Sequence, residues 1–184
     1  MKFQRIFYDF EFIEDGTTID PISLGAVSED GRREFYALNY DCDYSKASPW
    51  VKDNVIAQLP PKPVVQPRHL PGKSPWMHRD QIGPALLKFF DVSKFGDVKL
   101  WGYYAAYDHV ALAQLWGPMI SLPRDVPKYT MDIKQYCVML GDPRLPEQGP
   151  GEHDALADAR HNRVRWNFLE NYAAGFRESG LGNK

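Results

Sequence analysis

No stretch constrains this chain more than Phe3-Gln4-Arg5-Ile6-Phe7-Tyr8-Asp9-Phe10-Glu11-Phe12. Ile6, Tyr8, Phe10 and Phe12 recur every second residue, the period of a β-strand, and so share one face. The other face opens with Phe7 and then carries Asp9 and Glu11. An ionised carboxylate buried without a partner is so costly that it takes up a proton instead, and no run of Lys or Arg lies nearby to compensate two of them. A divalent cation would. Side chains two apart on a strand point the same way, about 6.6 Å apart along it, which suits carboxylates grasping a pair of hard cations about 3.5–4 Å apart. A strand end emerging into solvent accounts for the same acids, because Asp-x-Glu is a common tripeptide. This segment alone leaves both readings open.

Downstream, Ile19, Ile22, Leu24, Ala26 and Val27 predict a second strand. Glu29-Asp30-Gly31-Arg32 predicts a hairpin, since Asp-Gly readily takes the positive φ of tight turns. A third strand returns over 34–40, making three antiparallel strands. Ser48 and Pro49 read as N-cap and first residue of a helix with Val51, Val55 and Leu59 as its apolar stripe, ending at Pro60. Residues 60–76 are dense in proline, which breaks regular structure, and basic: Lys62, Arg68 and Lys73, with His69 inside and His78 and Arg79 just beyond. Such a loop either steers a phosphate backbone or is simply solvated, the commoner fate of polar loops.

A helix is expected over 77–90 and a fourth strand over 98–103, parallel to the first because a helix separates them. Tyr107-Asp108-His109 opens a helix closed by Gly117-Pro118. A short fifth strand falls at 129–131, a helix at 132–140, a Pro/Gly-rich loop at 141–151 and a long helix at 154–176. The tail, 179–184, reads as frayed. The expectation is one α/β domain over 1–184, with a central mixed five-stranded sheet flanked by helices.

A length of 184 residues suits one domain with a real core. A net charge of -2 excludes a globally basic nucleic-acid binder but not a nucleic-acid enzyme, whose bound cations restore positive potential where phosphates sit. Only Cys42 and Cys137 are present, and neither falls in a zinc-ligand spacing, which argues against a disulfide scaffold or structural zinc. No segment reads as a signal peptide or reaches membrane-spanning length, so a cytoplasmic protein with no membrane contact is expected.

Two further acids join the first pair. Asp108 sits where the fourth strand hands over to a helix, a junction that a mixed sheet carries to its strand ends; as a helix-start Asp it is also ordinary. In His153-Asp154-Ala155-Leu156-Ala157-Asp158-Ala159 the alanines suggest a helix start packed close against something, with Asp158 one turn in and His153 leaning over the same spot. Asp154 and His153 are equally explained as a cap and a solvated first turn. The combination of the three blocks is what carries weight.

That set resembles the DEDD superfamily of 3'-to-5' exonucleases, in the subclass whose last motif carries His. It looks closest to the RNase AS exoribonuclease family. The resemblance rests on Phe7-Tyr8-Asp9-Phe10-Glu11-Phe12-Ile13-Glu14-Asp15-Gly16, on Ala106-Tyr107-Asp108-His109-Val110-Ala111-Leu112 with Gln114-Leu115-Trp116-Gly117-Pro118-Met119, and on His153 through Arg160, and it runs over 3–165. It implies an RNase H-like fold and two divalent cations, Mg²⁺ or Mn²⁺, held by Asp9, Glu11, Asp108 and Asp158. It also implies His153 as general base, and single-stranded RNA degraded from its 3' end to nucleoside 5'-monophosphates with a preference for adenylate-rich ends. A homodimer is implied as well. Phe12 stands where many members carry Thr and Tyr104 where many carry Asn; with Phe10 and Tyr107 they are the candidate substrate contacts. The competing readings are the same chemistry on single-stranded DNA, a catalytically silent nucleic-acid binder and a phosphatase of small nucleotides. The silent binder should have lost one of the five site residues, and none is missing.

Overall fold

A computed structural model describes residues 2–66, 68 and 74–178; His69 and Lys73 of the basic segment and the tail at 179–184 lie outside it. The chain opens with β1 (Phe3–Glu14), β2 (Ile19–Ser28) and β3 (Glu34–Asn39), paired antiparallel in sequence. Both connections are tight. At the second, Gly31 takes φ 72° while the Asp30 carboxylate accepts from the Arg32 N–H at 3.0 Å and the Ser28 hydroxyl at 2.6 Å. This is the Asp-Gly turn that the sequence predicts.

Helix α1 (Pro49–Asn54) follows, with the Ser48 hydroxyl accepting from the Val51 N–H at 3.2 Å. It is shorter than expected: the chain passes into a 3₁₀ turn over Ile56–Gln58 before Pro60. Then come β4 (Trp76–Met77), α2 (Arg79–Phe90), α3 (Val92–Phe95), β5 (Asp97–Gly102), α4 (Ala106–Gln114), β6 (Met131–Asp132), α5 (Ile133–Met139) and α6 (Ala155–Glu178).

Among the described residues the sheet therefore has six strands, not five, in the order β4-β3-β2-β1-β5-β6. The additional strand, β4, lies where the proline-rich segment gives way to α2, and it pairs parallel with β3 through Leu38 and Trp76. Two residues carry no periodicity, so their pairing depends on the free edge of β3 rather than on local pattern. β5 runs parallel to β1, reached through α2, as the helix between them requires.

β1 is central and buried on both faces. Ile6, Tyr8 and Phe10 pack with Ile82, Leu86 and Phe90 of α2 and with Ala111 and Leu112 of α4. On the other face Phe7 packs with Ile133 and Cys137 of α5 and with Trp166 and Leu169 of α6. Aspartates and glutamates continuing along that second face must therefore meet α6. Between Glu11 and Phe12 the register with β2 slips by one, at Pro21. A bulge tolerates a proline and re-aims the strand, which sends Ile13 into a separate small core with Ile22, Cys42 and Val55.

Candidate active site

β1 pairs with β5 only from Phe3 to Phe7. Past that point β5 turns away into α4, which would leave the N–H of Phe10 unpaired in the interior, a costly state. Asp108, in the first turn of α4, fills the gap: its Oδ1 accepts from the Phe10 N–H at 2.7 Å. One buried hydrogen bond thus docks the second acidic block against the first.

The third block arrives from the other side. Asp9 lies opposite Gly25 of β2. A Cβ at Gly25 would sit 2.1 Å from the Ala155 carbonyl oxygen and 2.4 Å from the Leu156 Cα, so only glycine lets the start of α6 rest directly on the sheet. The side-chain amide of Asn162 then donates to the Tyr8 carbonyl at 3.1 Å, tying α6 to β1. Asp158, one turn before Asn162, is carried to the acids of β1.

His153 precedes α6 with φ 68°, the left-handed region that L-residues other than glycine rarely occupy. The conformation turns its N–H onto Asp158 Oδ2 at 2.9 Å. The Trp50 ring stands edge-on to the imidazole, centroids 4.9 Å apart, and the Gln148 amide donates to the other Asp158 oxygen. Asp154 is the cap of the helix: Oδ1 accepts from the Ala157 N–H at 2.8 Å and Oδ2 from the Tyr36 hydroxyl at 3.0 Å.

The consequence is a cluster. Ligand-capable atoms of Glu11, His153 and Asp158 all lie within 4.8 Å of one another. Asp9 shares with His153 and Asp158 a cavity of about 280 Å³ that Tyr103, Gln148, Glu152 and Arg165 also line. Every carboxyl in the cluster is held above its ordinary range. Burial pushes Glu11 to about 8, helped by the charge and hydrogen bond of Asp158. Burial and then the charges of Asp108, Asp158 and Glu11 raise Asp9, against a small opposing pull from Arg165. Asp108 rises to about 7 through burial, although the N–H groups of Phe10 and its own residue favour its charge. Asp158 rises through burial, against hydrogen bonds from Gln148 and the His153 N–H. Acids crowded this way lack a counter-charge. The carboxylate oxygens of this set fit a hard divalent cation such as Mg²⁺ or Mn²⁺, with the His153 imidazole beside them.

The predicted substrate contacts divide. Phe10 is 4% exposed and turns into the core, edge-on to Tyr8; what it offers the site is its backbone N–H, because strand alternation that aims Asp9 and Glu11 at the α6 side of the sheet aims Phe10 at the opposite side. Phe12 stacks on Tyr107 with centroids 5.9 Å apart and planes 13° from parallel. Tyr104, at φ 56°, and Tyr107 are 62% and 53% exposed beside the acids of α4 and β1.

Among the described residues Arg68 pairs with Asp80, Arg79 with Asp20 and His78 with Asp41, at 2.7, 2.8 and 2.8 Å. Other contributors escaped the sequence reading, Asp132, Gln148 and Arg165 among them. Asp132 accepts from the Ala105 N–H at 2.8 Å, caps α5 through the Gln135 N–H at 3.1 Å, and adds a charge near Asp108. Gln148 comes from a loop with no motif. Arg165 had a signal: it lies seven residues after Asp158, on the same helix face.

A family model described as the 3'-5' exoribonuclease Rv2179c-like domain matches residues 4–169. The Mycobacterium tuberculosis protein named 3'-5' exoribonuclease Rv2179c is 43% identical over 165 residues, covering 90% of this chain and 92% of that one. Among solved structures, the RNase domain of yeast Pop2 superposes with a TM-score of 0.55 at 9% identity over 92% of this chain and 77% of that one. The Neurospora crassa Pan2 catalytic unit gives 0.51 at 12% identity, over 96% of this chain but only 28% of that one. The two structural likenesses establish the RNase H-like exonuclease fold. Identity of 43% across nine-tenths of both chains goes further, and with it the chain belongs to the Rv2179c-like 3'-5' exoribonuclease domain family.

Proposed function

We propose that this protein is a 3'-to-5' exoribonuclease that hydrolyses single-stranded RNA to nucleoside 5'-monophosphates, favouring adenylate-rich ends. Asp9, Glu11, Asp108 and Asp158 hold two divalent cations, Mg²⁺ or Mn²⁺, and His153 is the general base. The observation that carries this reading is the convergence of Glu11, His153 and Asp158 within 4.8 Å, from segments far apart in sequence, in a chain whose curated relative is named an exoribonuclease.

When bound, the cations lower the pKa of the attacking water and offset charge on the leaving oxygen. The protein's own groups do the rest. The His153 imidazole accepts the proton of the attacking water; its aim is set by the N–H bond to Asp158 at 2.9 Å and by the Trp50 ring. Gln148 holds Asp158 from the far side and keeps its other oxygen oriented. Tyr104, Tyr107 and Phe12 offer ring faces on which unpaired bases stack. A homodimer belongs to the proposal, and the exposed Met119, Ile120, Val138 and Met139 give it apolar surface to bury.

The deciding experiment is a time course on 5'-end-labelled RNA and matched DNA, with Mg²⁺ and with EDTA. A ladder shortening from the 3' end on RNA, silenced by EDTA, is the expected result. Equal or faster degradation of DNA would move the assignment to a deoxyribonuclease. Intact oligonucleotides beside rapid turnover of mononucleotides would replace it with a phosphatase.

A further inference from the structure

Along the buried face of α6 runs a polar stripe, Asp158, Asn162 and Arg165, spaced four and three residues apart as helix geometry requires for one face. Two of its members already have tasks: Asp158 joins the acidic cluster and Asn162 ties the helix to β1. Arg165 does not. It lines the same cavity as Asp9, His153 and Asp158. Its guanidinium sits over the Tyr103 ring, 4.2 Å from the centroid. Nη1 donates to Asn162 Oδ1 at 3.3 Å, a long contact that leaves most of the fork unused. The ion pairs among the described residues are made by other cations.

Placing a permanent cation at the wall of a cavity meant for metal ions is counterproductive unless something anionic enters with the metals. The ring and the amide hold the guanidinium half-buried and pre-oriented in the wall of the cavity that His153 and Asp158 also line, and among the described residues Asn162 is the one hydrogen-bond acceptor of its N–H groups. Arg presents a planar fork matched to phosphate oxygens and stacks on aromatic faces, whereas Lys does neither well. Such a residue, already ordered before the ligand arrives, loses little freedom on binding.

We propose that Arg165, seated on Tyr103, contacts a phosphate of the bound polynucleotide beside the metal cluster. The proposal rests on the exonuclease reading and adds a substrate-binding residue to it. The rival role is electrostatic and internal: Arg165 would merely offset the negative charge of Asp9. The two roles predict opposite behaviour. A phosphate contact contributes to RNA affinity and to its salt dependence. An internal counter-charge, once removed, leaves RNA contacts alone and makes the cluster hold metal more tightly.

The test uses the full chain as Arg165→Gln, Arg165→Lys and Tyr103→Leu, each checked for folding by circular dichroism. The probe is a fluorescently labelled single-stranded oligoribonucleotide, bound in Ca²⁺ and followed by anisotropy over a range of salt. Mn²⁺ binding without RNA is measured in parallel by calorimetry. Arg165→Gln is expected to weaken RNA binding about 10-fold or more, as loss of a charged hydrogen bond does. The slope of log K against log salt should become shallower by about 0.7, the equivalent of one phosphate on a single strand. Arg165→Lys should keep the slope and recover only part of the affinity, and Tyr103→Leu should weaken binding without changing the slope. Because Arg165→Lys keeps the charge, it decides the question even if Arg165→Gln fails to fold: parental affinity in Arg165→Lys overturns the phosphate contact. Unchanged RNA affinity and slope in Arg165→Gln, with tighter Mn²⁺ binding, would assign the residue to Asp9 instead. The parental protein's ladder on RNA is scored separately. If the parent binds RNA but does not cut it, the nuclease reading falls while the Arg165 contact stands or falls on the anisotropy alone.

Discussion

Each carboxylate in the cluster faces the others, so removing one is not a local loss. Asp9→Ala and Asp158→Ala are both expected to abolish hydrolysis of labelled RNA. Near-parental rates in either would refute the ligand assignment. Asp158→Ala carries a second penalty, because the Asp158 carboxylate also latches the His153 N–H. His153 itself occupies φ 68°, a strained conformation for which this latch compensates. His153→Ala should slow single-turnover cleavage about 10²- to 10⁴-fold, the usual contribution of a general base, and an unchanged rate would assign the residue to structure. The structure brings Glu11, His153 and Asp158 together, and they could be singled out as candidates beforehand because residue type and spacing are one-dimensional facts. The place of Phe10 was only half readable: alternation alone puts it opposite Asp9 and Glu11, yet its N–H still meets Asp108. Asp132 was hidden because an Asp before a helix is so often just a cap, and here it caps α5 and adds charge near Asp108 at once.

Among the elements, the contact between β2 and α6 sets the position of the third acidic block. Gly25 is its narrowest point, with a Cβ there 2.1 Å from backbone of Ala155. Backbone cannot swing aside as a side chain does. Gly25→Ala should therefore destabilise the fold by about 1–3 kcal/mol, the usual cost of overpacking, seen as a lower midpoint in thermal denaturation. It should also lower cleavage by more than the remaining folded fraction explains, because α6 and Asp158 shift away from Asp9. A parental melting midpoint together with parental activity would show that α6 does not rest there. The helix starts at Ser48 and the hairpin at Gly31 were predictable since a cap and a positive-φ turn are decided within four residues. β4 was not, and neither was the shortening of α1, because both depend on what the neighbouring strand or loop offers.

For the molecule as a whole, the acidic cluster couples stability to pH. Glu11 is held near 8 and Asp108 near 7, against ordinary values of 4.5 and 3.8. An acid whose folded pKa is raised favours the folded state below its unfolded pKa and loses that contribution as pH climbs through the folded value. In EDTA the melting midpoint should thus fall between about pH 5 and pH 8. That window lies above the range where acids held below their ordinary values, such as Asp15, Asp30 and Asp142, act in the opposite sense. Mn²⁺ should cancel the fall, with its stabilising effect growing as pH rises, since it replaces the missing counter-charge. A midpoint in EDTA that stays level or rises over that window would mean the carboxyls do not crowd one another.

Patterns within a few residues were enough to specify the two faces of β1, the hairpin, the helix caps and the identity of the acids, because side-chain period, capping and turn geometry are settled by near neighbours. The assembled site depended instead on contacts across 98 residues, from Phe10 to Asp108, and across 154, from Tyr8 to Asn162. Those contacts, the seat of α6 on Gly25 and the exposure of Arg165 to the same cavity exist only once the sheet has closed. Strand order and helix docking are set by which surfaces bury one another, and no short stretch of chain contains that information.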